Sequence, residues 1–371
     1  MREITITAPR NARKSRCQLK GKLTIGLDLG DRSSRYCILN ETGAVVRTGA
    51  VATNKKDLNR VFGPALQNCR LALEVGTHSP WVSRQLRALG HEVIVANPRR
   101  TRLIAASSNK NDRLDAETLA RLARVDPKLL FPVRHRGEAA QADLTVIRTR
   151  AAFVEGRTRL VNVARGLTKS FGERLRKCDA RYVNEALAQD LPQGLKVAIE
   201  PLLKQIGELS ARIQEYDDAI QRIAQQRYPE VALLTAVHGV GVLIALTFIL
   251  TLEDPHRFQR SRDVGPYLGM RPRRRQSSQS DPELGISKEG DIYVRTLLVQ
   301  GAHVILGRRG PDSDLRRFGE RLAARGGKAA KKKAVVAVAR KLAVLLHHLW
   351  TTGEVYEPLR NRPAAVAEAA A

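Results

Sequence analysis

Between Leu23 and Ala96 short β-forming runs come three in a row and then alternate with helix-forming stretches, and few folds accommodate that order. The runs LTIGLDLG (23–30), RYCILN (35–40) and AVVRTGAVAT (44–53) are parted by the turn residues Gly30-Asp31 and Glu41-Thr42-Gly43. They read as three consecutive antiparallel strands. A helix from Lys56 to Leu66, the strand CRLALEV, a helix from Ser79 to Leu89, the strand HEVIVA and a helix opening near Asp112 complete the series.

That element order is the order of an RNase H-like, RuvC-like sheet, so an α/β domain is expected over 23–135, ended by Pro127 and Pro132. Two acids in it are oddly placed. Asp28 lies inside the apolar run Leu23 to Leu29, and Glu74 ends Leu71-Ala72-Leu73. A carboxylate there is costly unless paired, hydrogen-bonded or bound to a cation. Asp112 and Asp115, three residues apart at the start of an apolar-periodic helix, share one helical face, although an N-cap with an acid three positions on is also an ordinary capping box. With no His or Cys cluster nearby, four carboxylates from two strands and one helix suit Mg²⁺, a hard cation, and two such ions would clamp the attacking and leaving oxygens of a phosphodiester.

Charge points to the same substrate class. The 371 residues carry 64 Lys and Arg against 37 Asp and Glu, a net charge of +27, which implies a polyanionic partner and favours nucleic acid. A membrane is not expected: the apolar run Val242 to Leu252 is too short to span one, and Arg340-Lys341 splits the other candidate. The cysteines, Cys17, Cys37, Cys69 and Cys178, are scattered without a CxxC pair, which argues against disulfides and zinc and fits a reducing cytoplasm. Residues 1–22 read as a flexible basic arm without a secretory signal, and 356–371 as a disordered, alanine-rich tail.

Helical periodicity dominates the rest. Over 136–230, Leu144, Ile147, Ala151, Val154, Thr158 and Val161 form one stripe, and Leu202, Ile206, Leu209, Ile213, Tyr216, Ile220 and Ile223 form an a/d seam. An antiparallel coiled coil is expected, used for length or dimerisation, or else a plain helical hairpin. In 231–355, Gly239-Val240-Gly241 before an apolar helix resembles a helix-hairpin-helix turn. Arg273, Arg274, Arg275, Lys288 and Arg295 are candidate phosphate ligands around a serine-containing loop; Lys331, Lys332 and Lys333 make a second basic surface. The pair His347-His348 near a helix end reads as a favourable C-terminal cation pair.

Seven blocks carry a resemblance: GLDLGDRSSRYCIL, LALEVG, KNDRLDAETLARL, LGMRPRRRQSS, GISKEGD, VRTLLVQGAH and AVARKLAVLLHHLW, in that order over about 23–355. Together they resemble the DEDD-type insertion-sequence transposases of the IS110 family, especially its IS1111 branch. The resemblance implies a RuvC-like domain whose four acids match Asp28, Glu74, Asp112 and Asp115 and bind Mg²⁺, and a C-terminal transposase domain with a nucleophilic serine that aligns with Ser277. The family has glycine after that serine, whereas this chain has Ser278, so the two serines are alternatives. It further implies DNA excision and insertion through a covalent 5′-phosphoserine, an element-encoded guide RNA, and a homo-oligomer, dimer or tetramer, whose copies complete each other's active sites. The alternatives are a RuvC-like endonuclease that hydrolyses branched DNA without a serine step, an actin-like ATPase suggested by IGLDLGDRSS, and a catalytically silent scaffold.

Overall fold

The structure is a computed structural model and describes residues 22–66, 68–98, 112–273 and 284–360. The basic arm up to residue 21, the loop with Arg274, Arg275, Ser277 and Ser278, and the tail from 361 lie outside the described residues, as does the side chain of Asp112. Two compact units divide the chain at Arg136 and Gly137.

The first unit is built on a five-stranded mixed sheet in the order β3-β2-β1-β4-β5, with β1 Thr24–Asp28, β2 Ser33–Leu39, β3 Val45–Ala52, β4 Arg70–Glu74 and β5 Glu92–Ala96. As expected, β1, β2 and β3 pair antiparallel; β4 adds to β1 in parallel, and β5 to β4. Side chains alternate across a sheet, so each strand feeds two cores. Ile25, Leu27, Tyr36, Ile38, Leu71, Leu73 and Val95 face one way, where they pack with Leu58 and Phe62 of α1 (Lys55–Phe62) and Val82 and Leu86 of α2 (Ser79–Ala88). Small residues dominate the other face. Ala72 and Ala96 meet Leu119 and Ala123 of α3 (Asp112–Val125), and Cys37 and Leu39 meet Ala116 and Ala120. At Gly26 a Cβ would lie 1.9 Å from the Ala116 carbonyl oxygen, so the helix backbone rests on the strand where no side chain intervenes.

The second unit is helical. Helix α4 (Glu138–Ser170) and α5 (Gln193–Arg227) form an intrachain hairpin. Its two helices run antiparallel: Arg150 Nε bonds Asp217 at 2.5 Å and Arg157 Nη1 bonds Ser210 at 3.3 Å, so one number falls as the other rises. Of the expected seam, Ile206, Ile213 and Ile220 are buried, whereas Thr158 of the facing stripe is exposed. Asp143 is 2% exposed and accepts from Arg227 and from Tyr228 Oη at 2.7 Å, which offsets its desolvation. The expected helical insert 136–230 and the region 231–355 thus fall within one unit.

Around α6 (Glu230–Thr235), α7 (Val242–Leu252), α8 (Val264–Tyr267), α9 (Ile292–Ile305), α10 (Asp314–Ala323) and α11 (Gly327–Thr352) a single core collects Phe248, Leu268, Leu298, Leu342 and Leu346. By length and composition α11 could cross a membrane, but Val338, Leu342, Leu346 and Leu349 are buried in this core. The glycine turn between α6 and α7 packs inward: Gly239 has φ +85°, and a Cβ there would lie 2.8 Å from the Gly301 carbonyl oxygen, while Gly241 faces open space.

His347 corrects an expectation. It is 1% exposed, its Nδ1 lies 2.9 Å from Ser261 Oγ and its Nε2 2.8 Å from Pro255 O. A carbonyl only accepts, so Nε2 carries the proton and Nδ1 receives the serine hydroxyl. Burial lowers the pKa and keeps the ring neutral; it is a core histidine and not half of a cation pair.

Candidate active site

Strand register places two of the four acids. Leu27 pairs with Leu73 in the parallel β1–β4 ladder, so the next residues, Asp28 and Glu74, end adjacent strands side by side. Both follow residues that face α1 and α2, so both project toward the α3 face. Each is half-buried. Arg35 stands opposite Asp28 on β2.

Helix α3 brings the other two. Asp112 is its first residue, and Asp115, half-buried, precedes Ala116, the residue seated on Gly26. Since Gly26 and Asp28 share a face of β1, the first turn of α3 lies over the end of the strand that carries Asp28. Elements that are distant in sequence therefore bring Asp28, Glu74 and Asp115 toward the C-terminal ends of the inner strands β1 and β4. Among the described residues no three His, Cys, Asp or Glu side chains form a group able to hold a metal ion.

The loops beyond these strand ends are tied together. His78 Nε2 lies 3.1 Å from Asp31 Oδ1, and Trp81 Nε1 donates to His78 Nδ1 at 3.1 Å. An indole only donates, so Nδ1 is the acceptor, and Nε2 holds the proton and donates to Asp31. Neither Asp31 nor His78 stands out in the sequence, because nothing in their spacing announces that the two loops meet.

The serine-containing loop itself lies outside the described residues, but its stem is clear. Pro272 and Ile286 form an antiparallel bridge, Arg273 N donates to Gly285 O at 3.0 Å, Ser287 N to Arg271 O at 2.9 Å, and Lys288 N to Gly269 O at 3.0 Å. Arg273 and Lys288 are exposed beside it. Arg295 is not. It is 8% exposed, and its Nη1 donates to Leu268 O at 2.9 Å and Glu289 O at 2.8 Å, one carbonyl from each arm. The expectation of a phosphate ligand at Arg295 is therefore corrected: its guanidinium is used inside the fold to hold the stem closed. Sequence could not separate it from Arg273, since only burial distinguishes them.

Lys331, Lys332 and Lys333 are exposed in the first two turns of α11, where no acid offsets the positive end of the helix dipole. Cations there do not help the helix.

Comparison with known proteins gives the family. Residues 25–171 match the DEDD transposase domain of the IS110 family, and residues 231–318 match the transposases described as the IS116/IS110/IS902 family. The transposase for insertion sequence element IS1111A of Coxiella burnetii is 26% identical over 93% of this chain and 94% of its own length. A putative transposase of Sinorhizobium fredii, y4rJ, is 32% identical over 76% of this chain and 77% of its own, and the transposase for insertion sequence element IS1328 of Yersinia enterocolitica is 29% identical over 76% and 84%. The five-stranded mixed sheet followed by a helical unit is compatible with that assignment. The chain belongs to the IS110 family of insertion-sequence transposases, enzymes that act on DNA.

Proposed function

We propose that this transposase recombines DNA through a RuvC-like acid site and a serine nucleophile. Asp28, Glu74, Asp112 and Asp115 are the metal ligands, and Ser277 is the attacking group. One observation carries the reading: Asp28 and Glu74 end adjacent parallel strands on the face where α3 crosses Gly26. Strand order β3-β2-β1-β4-β5 supports the RuvC-like assignment.

An all-oxygen donor set fits Mg²⁺, which is commonly held by one or two carboxylates together with substrate phosphate and water. When bound it supplies charge neutralisation at the phosphate oxygens. The rest falls to the chain. Ser277 Oγ bonds to phosphorus, the hydroxyl proton passes to a base at the site, the bond from phosphorus to the 3′ oxygen breaks, and that oxygen takes up a proton from water. A 5′-phosphoserine and a free 3′ hydroxyl result, and attack by a second 3′ hydroxyl reverses the step and rejoins the strand. Arg273 and Lys288, exposed at the stem, bind the phosphate oxygens; Lys331, Lys332 and Lys333 hold the DNA backbone.

The net charge of +27 supports polyanionic partners, read here as the element ends, the target DNA and an element-encoded guide RNA. The working assembly is a homo-oligomer, dimer or tetramer, in the cytoplasm. The test is to sequence RNA that co-purifies with the chain and to add it back with two DNA duplexes and Mg²⁺. Recombination that depends on the added RNA is expected; equal recombination without it refutes the guided part. Ser277→Ala is expected to abolish strand exchange and the protein–DNA adduct, and exchange retained in that variant refutes the serine part.

A further inference from the structure

The serine-containing loop returns to the helical core through its second stem arm, Ile286 to Gly290, which passes directly into α9 at Asp291. Gly290 has φ +72°, and a Cβ there would lie 2.3 Å from Tyr267 O, so this arm sits tight against the end of α8. Asp291 caps α9: its Oδ1 accepts from Tyr293 N at 2.9 Å and from Val294 N at 3.1 Å. Its Oδ2 accepts from Arg148 Nη2 on α4, 143 positions away in the chain. The same guanidinium lies 4.8 Å from the centre of the Tyr293 ring.

Arg148 stands where the α4–α5 hairpin leaves the main core. Ile147 is buried in that core with Leu298 of α9, whereas the next buried residue along α4, Val161, packs in a separate cluster with Ile199, Leu203 and Ile206. Two residues on, Arg150 pairs with Asp217 of α5 and lies against the Tyr293 hydroxyl. The root of the hairpin therefore grips the first turn of α9 twice, and that turn continues the stem. Arg295 holds the stem from inside, through Leu268 O and Glu289 O. Arg148 holds it from the hairpin side. The Asp291 side chain is only 14% exposed, and a carboxylate so enclosed needs donors or a cation, which sets this pair apart from an ordinary surface ion pair. Because the cap bonds use the other oxygen, loss of Arg148 removes the lateral hold and leaves the cap of α9 in place.

We propose that Arg148 is a positioning residue for the serine-bearing loop: through Asp291 and Tyr293 it fixes the stem arm 286–290 against the root of the hairpin. Its hold on the stem stands on these contacts; its bearing on the reaction rests on the serine proposed above.

The test uses the full chain. In Arg148→Met, which keeps an aliphatic side chain and removes the charge, amide hydrogen exchange is expected to quicken at Arg273, Ser287 and Lys288, the N–H groups bonded across the stem, while the amides of α7 keep their wild-type rates. DNA strand exchange at saturating DNA is expected to slow by roughly ten- to a hundredfold, the scale of an ångström-level misplacement, with the half-saturating DNA concentration unchanged. Arg148→Lys is expected to restore both. Asp291→Asn, which keeps a good N-cap and removes the charge, is expected to reproduce the Arg148→Met result, and the two together to add little to either alone. Stem amides that keep the wild-type rate in Arg148→Met overturn the proposal, as does hydrogen exchange quickened equally in α7, the mark of a general loss of stability. Quickened stem amides with a wild-type rate of strand exchange overturn it too. Ser277→Ala serves as the control, expected to stop strand exchange without changing the stem amides. Were that variant active, the serine reading would fail while the stem amides still decided whether Arg148 holds the loop.

Discussion

Gly26 and Ala116 touch backbone to backbone: a Cβ on Gly26 would stand 1.9 Å from the Ala116 carbonyl oxygen and 2.6 Å from Ala120 N. No rotamer change relieves a clash with main chain, so α3 itself has to shift. Gly26→Ala is therefore expected to destabilise the first unit by about 1–3 kcal/mol, the usual cost of overpacking. Because α3 carries Asp112 and Asp115, activity is expected to fall further than stability explains. Thermal melts alongside strand-exchange rates check this; a variant with wild-type melting and wild-type rate contradicts it.

Arg295 is expected to matter for folding and not for charge. Removing it as Arg295→Ala leaves two inward-facing carbonyls, Leu268 O and Glu289 O, without this donor. Each buried group left unsatisfied costs about 1–3 kcal/mol, so a drop in stability of roughly 2–4 kcal/mol is expected. Denaturant unfolding measures it. The salt dependence of DNA binding should be unaltered once a folded fraction is selected.

The opposite pattern is expected at Lys331, Lys332 and Lys333. They are exposed and sit at the unfavourable end of α11, so changing all three to Gln should leave the melting temperature unchanged or slightly raised. The slope of log K against log salt on duplex DNA should drop by about 0.9 for each lysine that meets a phosphate. An unchanged slope removes them from the DNA surface.

Acid should weaken the first unit through His135. Its folded pKa is about 4 against an ordinary 6.5, so between those values the unfolded chain binds a proton that the folded chain does not. The neutral-form stability is complete above 6.5 and is lost progressively as pH falls toward 4. His347, also lowered by burial, adds the same sign in the second unit. Replacing His135 by Gln removes its titration, and the pH dependence of unfolding between 6.5 and 4 should flatten. If the variant and the parent lose stability in parallel over that window, His135 is not the source.

Much of the first unit is legible in the residue order, for a physical reason. Strands with a period of two and turns rich in Gly, Asn and Asp are local signals, and β1 to β5 fall where those signals lie. The start of α3 at Asp112 and the seam residues Ile206, Ile213 and Ile220 are likewise written in local periodicity. What stays hidden is whatever depends on neighbours distant in the chain. Arg273 and Arg295 look alike as letters, yet one is exposed and the other 8% exposed between two carbonyls. His347 reads as a helix-end cation and is a neutral core residue because Pro255 and Ser261 fold over it.

By itself, then, the order of residues determined the element series, the family and the cationic character, since periodicity, motif spacing and net charge need no partner to exist. Tertiary structure alone decided that Asp28 and Glu74 end neighbouring strands on one face, that α3 lies directly on Gly26, and that Arg84 and Arg87 meet Arg134 and Arg136 around His135. Those relations come from parallel pairing and close packing between segments far apart in the chain, where burial and proximity, and no property of a residue taken singly, set what a side chain does.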